Sequence, residues 1–205
     1  MTDKQLEQEQ AMQEQIAQSE QLNYMTVPNY NILLEGCDST GKSSIAAEIL
    51  KIRPGFKYVH EGPPKNKDEA RKHYESTVEQ LNSSTGWLYD RAILGEAVYA
   101  PIFRGYYPEY MRDLEAKLGP ETHLVLVYAK PETVLARFDG KFIKPEQIPV
   151  IIAAYNAEWS LSKYKSKLRL CSDKACPASL AKTVIDCLEG SFNANLEGPV
   201  STTAR

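Results

Sequence analysis

The fold of this chain follows from the stretch Asn31-Ile-Leu-Leu-Glu-Gly-Cys-Asp-Ser-Thr-Gly-Lys-Ser43. The part from Gly36 to Ser43 matches the pattern GxxxxGK[ST], which is typical of loops that bind the phosphates of a nucleotide. The apolar run before it, Asn31 to Glu35, predicts a strand, and apolar residues at helical spacing from Ser43 to Lys51 predict a helix. The motif therefore stands in the strand, loop and helix context that it requires.

The residue types in this loop suit a triphosphate and a divalent cation. Backbone N–H groups of such a loop converge on an anion, and the N-terminus of the following helix adds its dipole. The Lys42 side chain is predicted to reach the β- and γ-phosphates, and the Ser43 hydroxyl to hold Mg²⁺. We therefore expect ATP and Mg²⁺ as cofactors. The predicted binding residues are Gly36, Cys37, Ser39, Thr40, Gly41, Lys42, Ser43 and Ser44.

Strand and helix patterns alternate along the rest of the chain. Each predicted strand is separated from the next by a stretch with apolar residues at helical spacing, which is the pattern of right-handed βαβ units around a parallel sheet. The sequence therefore predicts a three-layer α/β domain with a five-stranded parallel sheet. Its strands are expected at residues 31–35, 56–60, 87–89, 123–129 and 168–171.

The two ends of the chain differ from this domain in composition. The first 22 residues contain seven Gln and four Glu without a sustained heptad, so we expect residues 1–27 to form a polar arm. Residues 190–205 are small and polar, and they predict a disordered tail. The working domain is therefore expected at residues 28–189, which is enough chain to bury a core.

Composition and charge disfavour several classes of protein. Lys and Arg total 24 against 27 Asp and Glu, a formal net charge of −3, whereas a generic nucleic-acid-binding domain is basic. No apolar run approaches the ~18 residues of a membrane-spanning helix, so we expect a cytoplasmic protein without a membrane partner. The four cysteines form no CxxC pair and have no His at zinc-ligand spacing, so we expect reduced thiols and no zinc site.

A second motif separates kinases from other nucleotide-binding proteins. The third predicted strand ends in Asp90-Arg91, whereas ATPase motors usually end theirs in Asp-Glu. Asn66-Lys67-Asp68 lacks the spacing of the guanine motif NKxD, and Asn66 with Glu69 instead predicts the start of a helix. Because a carboxylate can bind hydrated Mg²⁺ and a guanidinium can hold a phosphate, we expect Asp90 and Ser43 as metal ligands and Arg91 beside the phosphates.

Four motifs occur in the order found in thymidylate kinases. Leu34 to Ser44 resembles their EGxDGxGKST loop, Asp90 to Tyr99 resembles their DRY-x-x-S-x-x-A-Y segment, and Val127 to Arg137 resembles the strand, proline and helix that lead into their lid. With Arg104-Gly105 and a very short lid, the chain looks most like the thymidylate-kinase-like proteins of bacteriophages. The resemblance covers about residues 30–170. It implies a P-loop kinase fold, and it implies that the protein acts in the cytoplasm of a phage-infected bacterium.

The resemblance also implies an activity, the transfer of the γ-phosphoryl group of ATP to a deoxynucleoside monophosphate, and a homodimer as a further expectation. It implies that Asp38 contacts the 3′-hydroxyl of the acceptor sugar, that Arg91 bridges the donor and acceptor phosphates, and that Arg137 lies at the closing lid. The predicted catalytic residues are therefore Asp38, Lys42, Asp90, Arg91 and Arg137. Lys141 is implied to lie at the closing lid with Arg137. The predicted substrate-binding residues are Asp38, Glu61, Arg91, Glu96, Tyr99, Arg104 and Lys141.

Two departures from the thymidylate kinase pattern leave the acceptor open. The turn from His60 to Pro64 has no Arg to hold an acceptor phosphate, and the lid segment, Arg137 to Lys144, contains one Arg and two Lys. The alternative is a P-loop kinase that phosphorylates a hydroxyl of a deoxynucleoside, or of a hydroxymethylated pyrimidine in phage DNA, with Glu61 or Asp90 as base. A third hypothesis is a nucleotide-binding regulatory protein that uses its N-terminal arm for partners. His60 itself is expected to be a packed or hydrogen-bonded strand residue rather than a catalyst.

Overall fold

The computed structural model describes residues 26–196 of the chain, and side chains as far as residue 190. These residues form a five-stranded sheet flanked by helices. The strands are β1 (Asn31–Glu35), β2 (Lys57–His60), β3 (Trp87–Asp90), β4 (Thr122–Tyr128) and β5 (Ser166–Cys171). The helices are α1 (Lys42–Ile52), α2 (Lys67–Ser83), α3 (Ile93–Phe103), α4 (Met111–Lys117), α5 (Pro131–Ala136), α6 (Ile148–Leu161) and α7 (Pro177–Leu196), with a 3₁₀ turn at Pro145–Gln147.

The strands of the sheet are parallel and lie in the order β2-β3-β1-β4-β5. The predicted three-layer α/β domain with a five-stranded parallel sheet is therefore confirmed. The carboxyl ends of β2, β3 and β1 lie side by side, since Asp90 is paired with Leu34 on one side and with His60 on the other. Ligands of open α/β sheets bind outside the carboxyl ends of the strands, so this edge is where a site is expected.

The side chains of β1 alternate between two hydrophobic clusters, one on each face of the sheet. Ile32 and Leu34 pack with residues of α1 and α7. Leu33 points to the opposite face and packs with residues of α2, α3 and α6. This alternation follows from the two-residue period of a strand, and burial on both faces explains why the sequence of β1 is an apolar run.

The buried side chain of Asn31 joins the start of β1 to its neighbours. Its amide donates hydrogen bonds to the carbonyl oxygen of Leu81 at 3.1 Å and to the hydroxyl oxygen of Thr122 at 3.2 Å. Its Oδ1 accepts a hydrogen bond from the backbone N–H of Trp87 at 3.1 Å. One side chain therefore holds β1 to β3, to β4 and to the end of α2.

The last helix, α7, continues to Leu196, beyond the boundary at residue 189 that the sequence predicts. Gly190 lowers helix propensity by about 1 kcal/mol relative to alanine but does not end a helix, and no proline follows it before Pro199. The rest of the predicted tail, residues 197–205, lies outside the described residues, as do residues 1–25 of the predicted arm.

No helix within residues 26–196 has the length and apolar character needed to cross a membrane.

The four cysteines are free thiols, with Cys37 buried and the other three exposed. Burial raises the pKa of the Cys37 thiol to about 12, so this thiol stays protonated at neutral pH. Within the same residues, no cluster of three or more His, Cys, Asp or Glu side chains forms a metal centre.

Replacing Asn31 with alanine is expected to lower the free energy of unfolding by about 2–4 kcal/mol, because the Trp87 N–H and the Leu81 carbonyl lose a buried partner. Denaturant unfolding followed by circular dichroism measures the change. Asn156→Ala is the matched control, since this exposed amide only accepts a hydrogen bond from Arg169 at 2.7 Å, and its effect is expected to stay within about 0.5 kcal/mol. Equal destabilisation by both variants would contradict the role of Asn31.

Candidate functional site

The glycine-rich loop between β1 and α1 has the backbone geometry of an anion cradle. Gly36 has a φ of 143°, and a Cβ at this position would lie 2.1 Å from the carbonyl oxygen of Val127 in β4. Ser39 and Gly41 also have positive φ values, 63° and 94°. Because a side chain at Gly36 would collide with β4, the sequence needs glycine there, and the loop leads directly into the N-terminus of α1, where an anion is favoured.

The Lys42 side chain lies over this loop. Its ammonium donates hydrogen bonds to the carbonyl oxygens of Gly36 at 2.8 Å and Cys37 at 2.9 Å, and the side chain is buried. Burial lowers the pKa of Lys42 below its ordinary value, while the neighbouring Asp90 carboxylate opposes that change. A cation is therefore held at the loop, next to the position of bound phosphates.

Asp90, at the end of β3, is fully buried. Its Oδ2 accepts hydrogen bonds from the hydroxyl of Ser43 and from the hydroxyl of Tyr58 at 3.3 Å, and it lies 3.3 Å from Nδ1 of His60. Its Oδ1 is buried and has no hydrogen-bond partner among residues 26–196. A free carboxylate oxygen beside a serine hydroxyl fits Mg²⁺, which prefers oxygen ligands and completes its shell with waters and phosphate oxygens.

Arg91 follows Asp90 and has a positive φ of 72°. Its guanidinium forms an ion pair with Asp38 of the loop and lies 5.8 Å from the centre of the Tyr99 ring in α3. The Tyr99 hydroxyl donates a hydrogen bond to Oδ2 of Asp38 at 2.9 Å. The structure therefore brings together three predicted site residues, which come from the loop, the end of β3 and α3.

Two adjoining cavities open at this edge of the sheet. The first, which we call the loop cavity, has a volume of about 400 Å³ and is lined by the glycine-rich loop, Asp90 and Arg137. The second, the α3 cavity, has a volume of about 350 Å³ and is lined by the turn after β2, by α3 and by Tyr74. The side chains that line both cavities are Asp38, His60, Arg91, Phe142 and Ile143.

Three carboxylates line the α3 cavity, those of Asp38, Glu61 and Glu96, and each is paired with the side chain of an arginine or a histidine. Glu96 is buried and also accepts a hydrogen bond from the Tyr106 hydroxyl at 2.6 Å. The hydrogen bond to Glu61 raises the pKa of His73. Apolar walls with a few fixed polar groups are the usual composition of a small-molecule site. The three pairs are Asp38 with Arg91, Glu61 with His73 and Glu96 with Arg104.

The two predicted lid cations lie in different surroundings. The Arg137 guanidinium donates a hydrogen bond to the carbonyl oxygen of Ser172 at 2.7 Å, and the Ser172 hydroxyl in turn donates to the carbonyl oxygen of Thr40 at 2.8 Å. Arg137 therefore connects the lid segment to the loop after β5 and to the glycine-rich loop. Lys141 is not brought to either cavity, because its exposed ammonium pairs with Asp139 at 3.0 Å.

Glu35 is a residue of this region to which sequence reasoning assigned no role. It is fully buried, and its Oε1 accepts hydrogen bonds from the backbone N–H groups of Ala92 at 3.0 Å and Gly95 at 2.9 Å. Its Oε2 accepts one from the Tyr155 hydroxyl at 3.3 Å. Burial raises the pKa of the Glu35 carboxyl to about 7. Glu35 thus fixes the start of α3 next to Arg91. In the sequence, the only indication of this role is an acidic residue at the end of an apolar strand.

Of the two surroundings expected for His60, packed or hydrogen-bonded, the structure has the polar one, because its Nδ1 lies 3.3 Å from Oδ2 of Asp90. Its side chain is 51% exposed and lies against Asp90, between the two cavities. The reason is that β2 is an edge strand of the sheet, so its side chains are covered on fewer sides than those of β1. His60 therefore belongs with the polar residues of the site.

Neither a protein-family model nor a curated protein matches the chain. Among solved structures, the YorR protein of Bacillus subtilis, in complex with phosphorylated GDP, is similar at a TM-score of 0.68 and 23% identity, over 80% of this chain and 98% of that chain. Deoxyadenosine kinase of M. mycoides with bound dATP has a TM-score of 0.57 and 16% identity, over 78% of this chain and 100% of the kinase. Thymidylate kinase of Candida albicans has a TM-score of 0.56 and 11% identity, over 80% of this chain and 93% of the kinase. The predicted P-loop kinase fold is confirmed.

The titration of Glu35 predicts a pH dependence of stability. Its pKa is raised on folding from 4.5 to about 7, so its contribution is complete below about pH 4.5 and is lost as the pH rises through about 7. Between about pH 5 and 8, the free energy of unfolding of the wild type is expected to fall by roughly 2–3 kcal/mol more than that of Glu35→Gln. Denaturant unfolding at each pH measures this. Glu79→Gln, at an exposed glutamate of α2, controls for the lost charge, and parallel curves for wild type and E35Q would refute the prediction.

Proposed function

We propose that the chain is a Mg²⁺-dependent kinase that transfers the γ-phosphoryl group of ATP to a deoxynucleoside monophosphate. The observation that carries this proposal is the junction of the loop cavity and the α3 cavity, where Asp38 and Arg91 line both. A phosphate held by the loop and an acceptor held along α3 would meet at the Arg91 guanidinium. Phosphoryl transfer depends mainly on positioning and on neutralisation of charge, and this arrangement supplies both.

ATP fits the loop cavity as the donor. The Lys42 ammonium would exchange its two carbonyl partners for oxygens of the β- and γ-phosphates. Adenine would lie beside Ser172, which is held close to the phosphates by its hydrogen bond to Thr40. Two structural neighbours support a nucleotide ligand, since one is in complex with phosphorylated GDP and another has bound dATP.

Mg²⁺ would be held by the Ser43 hydroxyl and by Asp90, whose Oδ1 has no other partner. When bound, the ion shields the negative charge of the transferred phosphoryl group. The hydroxyl of Tyr58 and the backbone of β3 hold the Asp90 carboxylate in place before the ion arrives, so the ligand needs little rearrangement.

A deoxynucleoside monophosphate fits the α3 cavity. The hydrogen-bonded pair of Asp38 and Tyr99 suits a sugar 3′-hydroxyl, while Glu96 and Arg104 offer an acceptor and a donor to the edge of a base. Arg91 can hold the acceptor phosphate through its planar fork. Because a phosphate monoester is already ionised near neutral pH, its oxygen can attack the γ-phosphorus without a general base.

A second candidate function is phosphorylation of a hydroxyl, on a deoxynucleoside or on a hydroxymethylated pyrimidine in DNA. The pairing of the α3 cavity favours it, since its two arginines, Arg91 and Arg104, are already held by Asp38 and Glu96, and the described lining residues include no unpaired arginine for an acceptor phosphate. A neutral acceptor meets less repulsion from these carboxylates than a phosphate dianion does. Its hydroxyl would need a base, and Glu61 lines the cavity for that role.

Lys42→Ala is expected to reduce phosphoryl transfer by roughly 100- to 1000-fold, because the transferred group loses a buried cation. The assay uses γ-labelled ATP and Mg²⁺ with the four deoxynucleoside monophosphates, the free deoxynucleosides, and plain and hydroxymethylated DNA. Lys182→Ala is the matched control, since this exposed lysine of α7 pairs with Asp186 at 3.0 Å, and its activity is expected to equal that of the wild type. Failure of the wild type to label any acceptor would rule out the kinase proposal.

Glu61→Gln separates the two candidate acceptors. If a monophosphate is the acceptor, no base is needed and kcat is expected to stay within about threefold of the wild type, whereas loss of a general base would lower kcat by roughly 100-fold or more. Steady-state kinetics with the acceptor found in the panel measures kcat and KM separately. Glu109→Gln is the control, because this exposed glutamate pairs with Lys67 at 2.9 Å, outside both cavities.

A further inference from the structure

The lid segment places an apolar side chain where the loop cavity and the α3 cavity meet. Phe142 is 75% exposed, more than any other large hydrophobic residue among those whose side chains are described. Its neighbour Ile143 is buried in the core. Both line both cavities. Ile143 therefore anchors this part of the lid segment, and Phe142 is left projecting at the shared opening.

The side chains around the junction fall into two chemical kinds. The three polar ones, Asp38, His60 and Arg91, come from the carboxyl edge of the sheet, whereas the two apolar ones come from the lid segment. The lid lysine at position 141, which the resemblance places at the closing lid, pairs with Asp139 and lines neither cavity. The lid segment therefore presents a hydrophobic surface, rather than a cation, to the point where donor and acceptor would meet.

We propose that Phe142 closes over this junction when both ligands are bound and excludes water from the phosphoryl group during transfer. The inference rests on the proposed kinase function and adds a residue to it. Exposed apolar surface is unfavourable in water by about 25 cal/mol per Å², so a ligand surface that covers the Phe142 ring draws it towards the cavities. Closure of this kind limits the loss of a reactive group to solvent.

Water and the acceptor compete for the same phosphorus atom. In transfer, an oxygen of the acceptor forms a bond to the γ-phosphorus while the bond from this phosphorus to the β–γ bridging oxygen breaks, and ADP leaves. In hydrolysis, a water oxygen forms the new bond instead, a proton passes to solvent, and inorganic phosphate is released with ADP. A residue that covers the junction therefore changes the ratio of the two products more than it changes the binding of ATP.

Phe142→Ala is the variant that tests this role. With γ-labelled ATP, Mg²⁺ and the accepted monophosphate, the ratio of labelled acceptor to labelled inorganic phosphate is expected to fall roughly tenfold, while KM for ATP changes less than about threefold. Phe142→Leu keeps an apolar cover and is expected to restore most of the ratio. Leu161→Ala removes another exposed apolar side chain, at the end of α6 and outside both cavities, and is expected to match the wild type. An unchanged ratio in F142A would overturn the proposal.

A second measurement does not depend on turnover. In Phe142→Trp, with the signal of the wild type subtracted for Trp87 and Trp159, acrylamide quenching of the new indole is expected to fall at least about twofold when ATP, Mg²⁺ and a monophosphate are added. Quenching that stays the same with ATP, Mg²⁺ and the monophosphate all bound would overturn closure by this residue. If the wild type labels no acceptor, the kinase proposal fails by itself, and this quenching still decides whether Phe142 closes over bound nucleotide.

Discussion

The parallel hydrogen bonding between β1 and β3 is the constraint on which the whole site depends. It pairs Leu34 with Asp90, and the backbone N–H of Arg91 extends it by donating to the carbonyl oxygen of Leu34 at 2.9 Å. This single register places a carboxylate beside Ser43 and a guanidinium beside Asp38. A slip by one residue would turn these side chains to the other face of the sheet. The hydrogen bonds of Asn31 with Trp87 and Thr122 hold β1 in this register with β3 and β4, and they therefore also support the chemistry of the site.

Charges at this edge are buried together and compensate one another in the absence of ligand. Asp38 neutralises Arg91, and the Lys42 ammonium is held by carbonyl oxygens of the loop. The Arg91 and Asp38 side chains are 23% and 13% exposed. Because a largely buried charge without a partner is destabilising, a ligand that displaces Asp38 from Arg91 has to provide Asp38 with a new partner. A nucleotide can do both at once, because its phosphate replaces the carboxylate at Arg91 and its sugar hydroxyl can donate to Asp38. The pair thus favours a ligand that carries both groups.

The sequence allowed accurate prediction wherever a pattern is local. Asn66 accepts a hydrogen bond from the backbone N–H of Glu69 at 2.9 Å and starts α2, a relation that three-residue spacing already indicates. The contacts of Glu35 with Ala92 and Tyr155 could not be predicted in this way, because those partners are distant in sequence and meet it only after the sheet has formed. Phe142 carries no periodic signal, since an aromatic residue in an irregular segment can face core, solvent or ligand. The roles that the resemblance implies for individual site residues stay predictions.

A lid with few cations is consistent with the burial of the site. The attraction between two unit charges 4 Å apart rises from about 1 kcal/mol in bulk water to about 4 kcal/mol at an effective dielectric constant near 20. Lys42 is buried, and the Arg91 side chain is 23% exposed, so a cover that removes the remaining water strengthens the action of both on a phosphoryl group. The lid segment has a single arginine, and Arg137 is already bonded to Ser172. A hydrophobic residue at position 142 therefore agrees with the burial of Lys42, because in a drier site each cation that is present acts more strongly on the phosphoryl group.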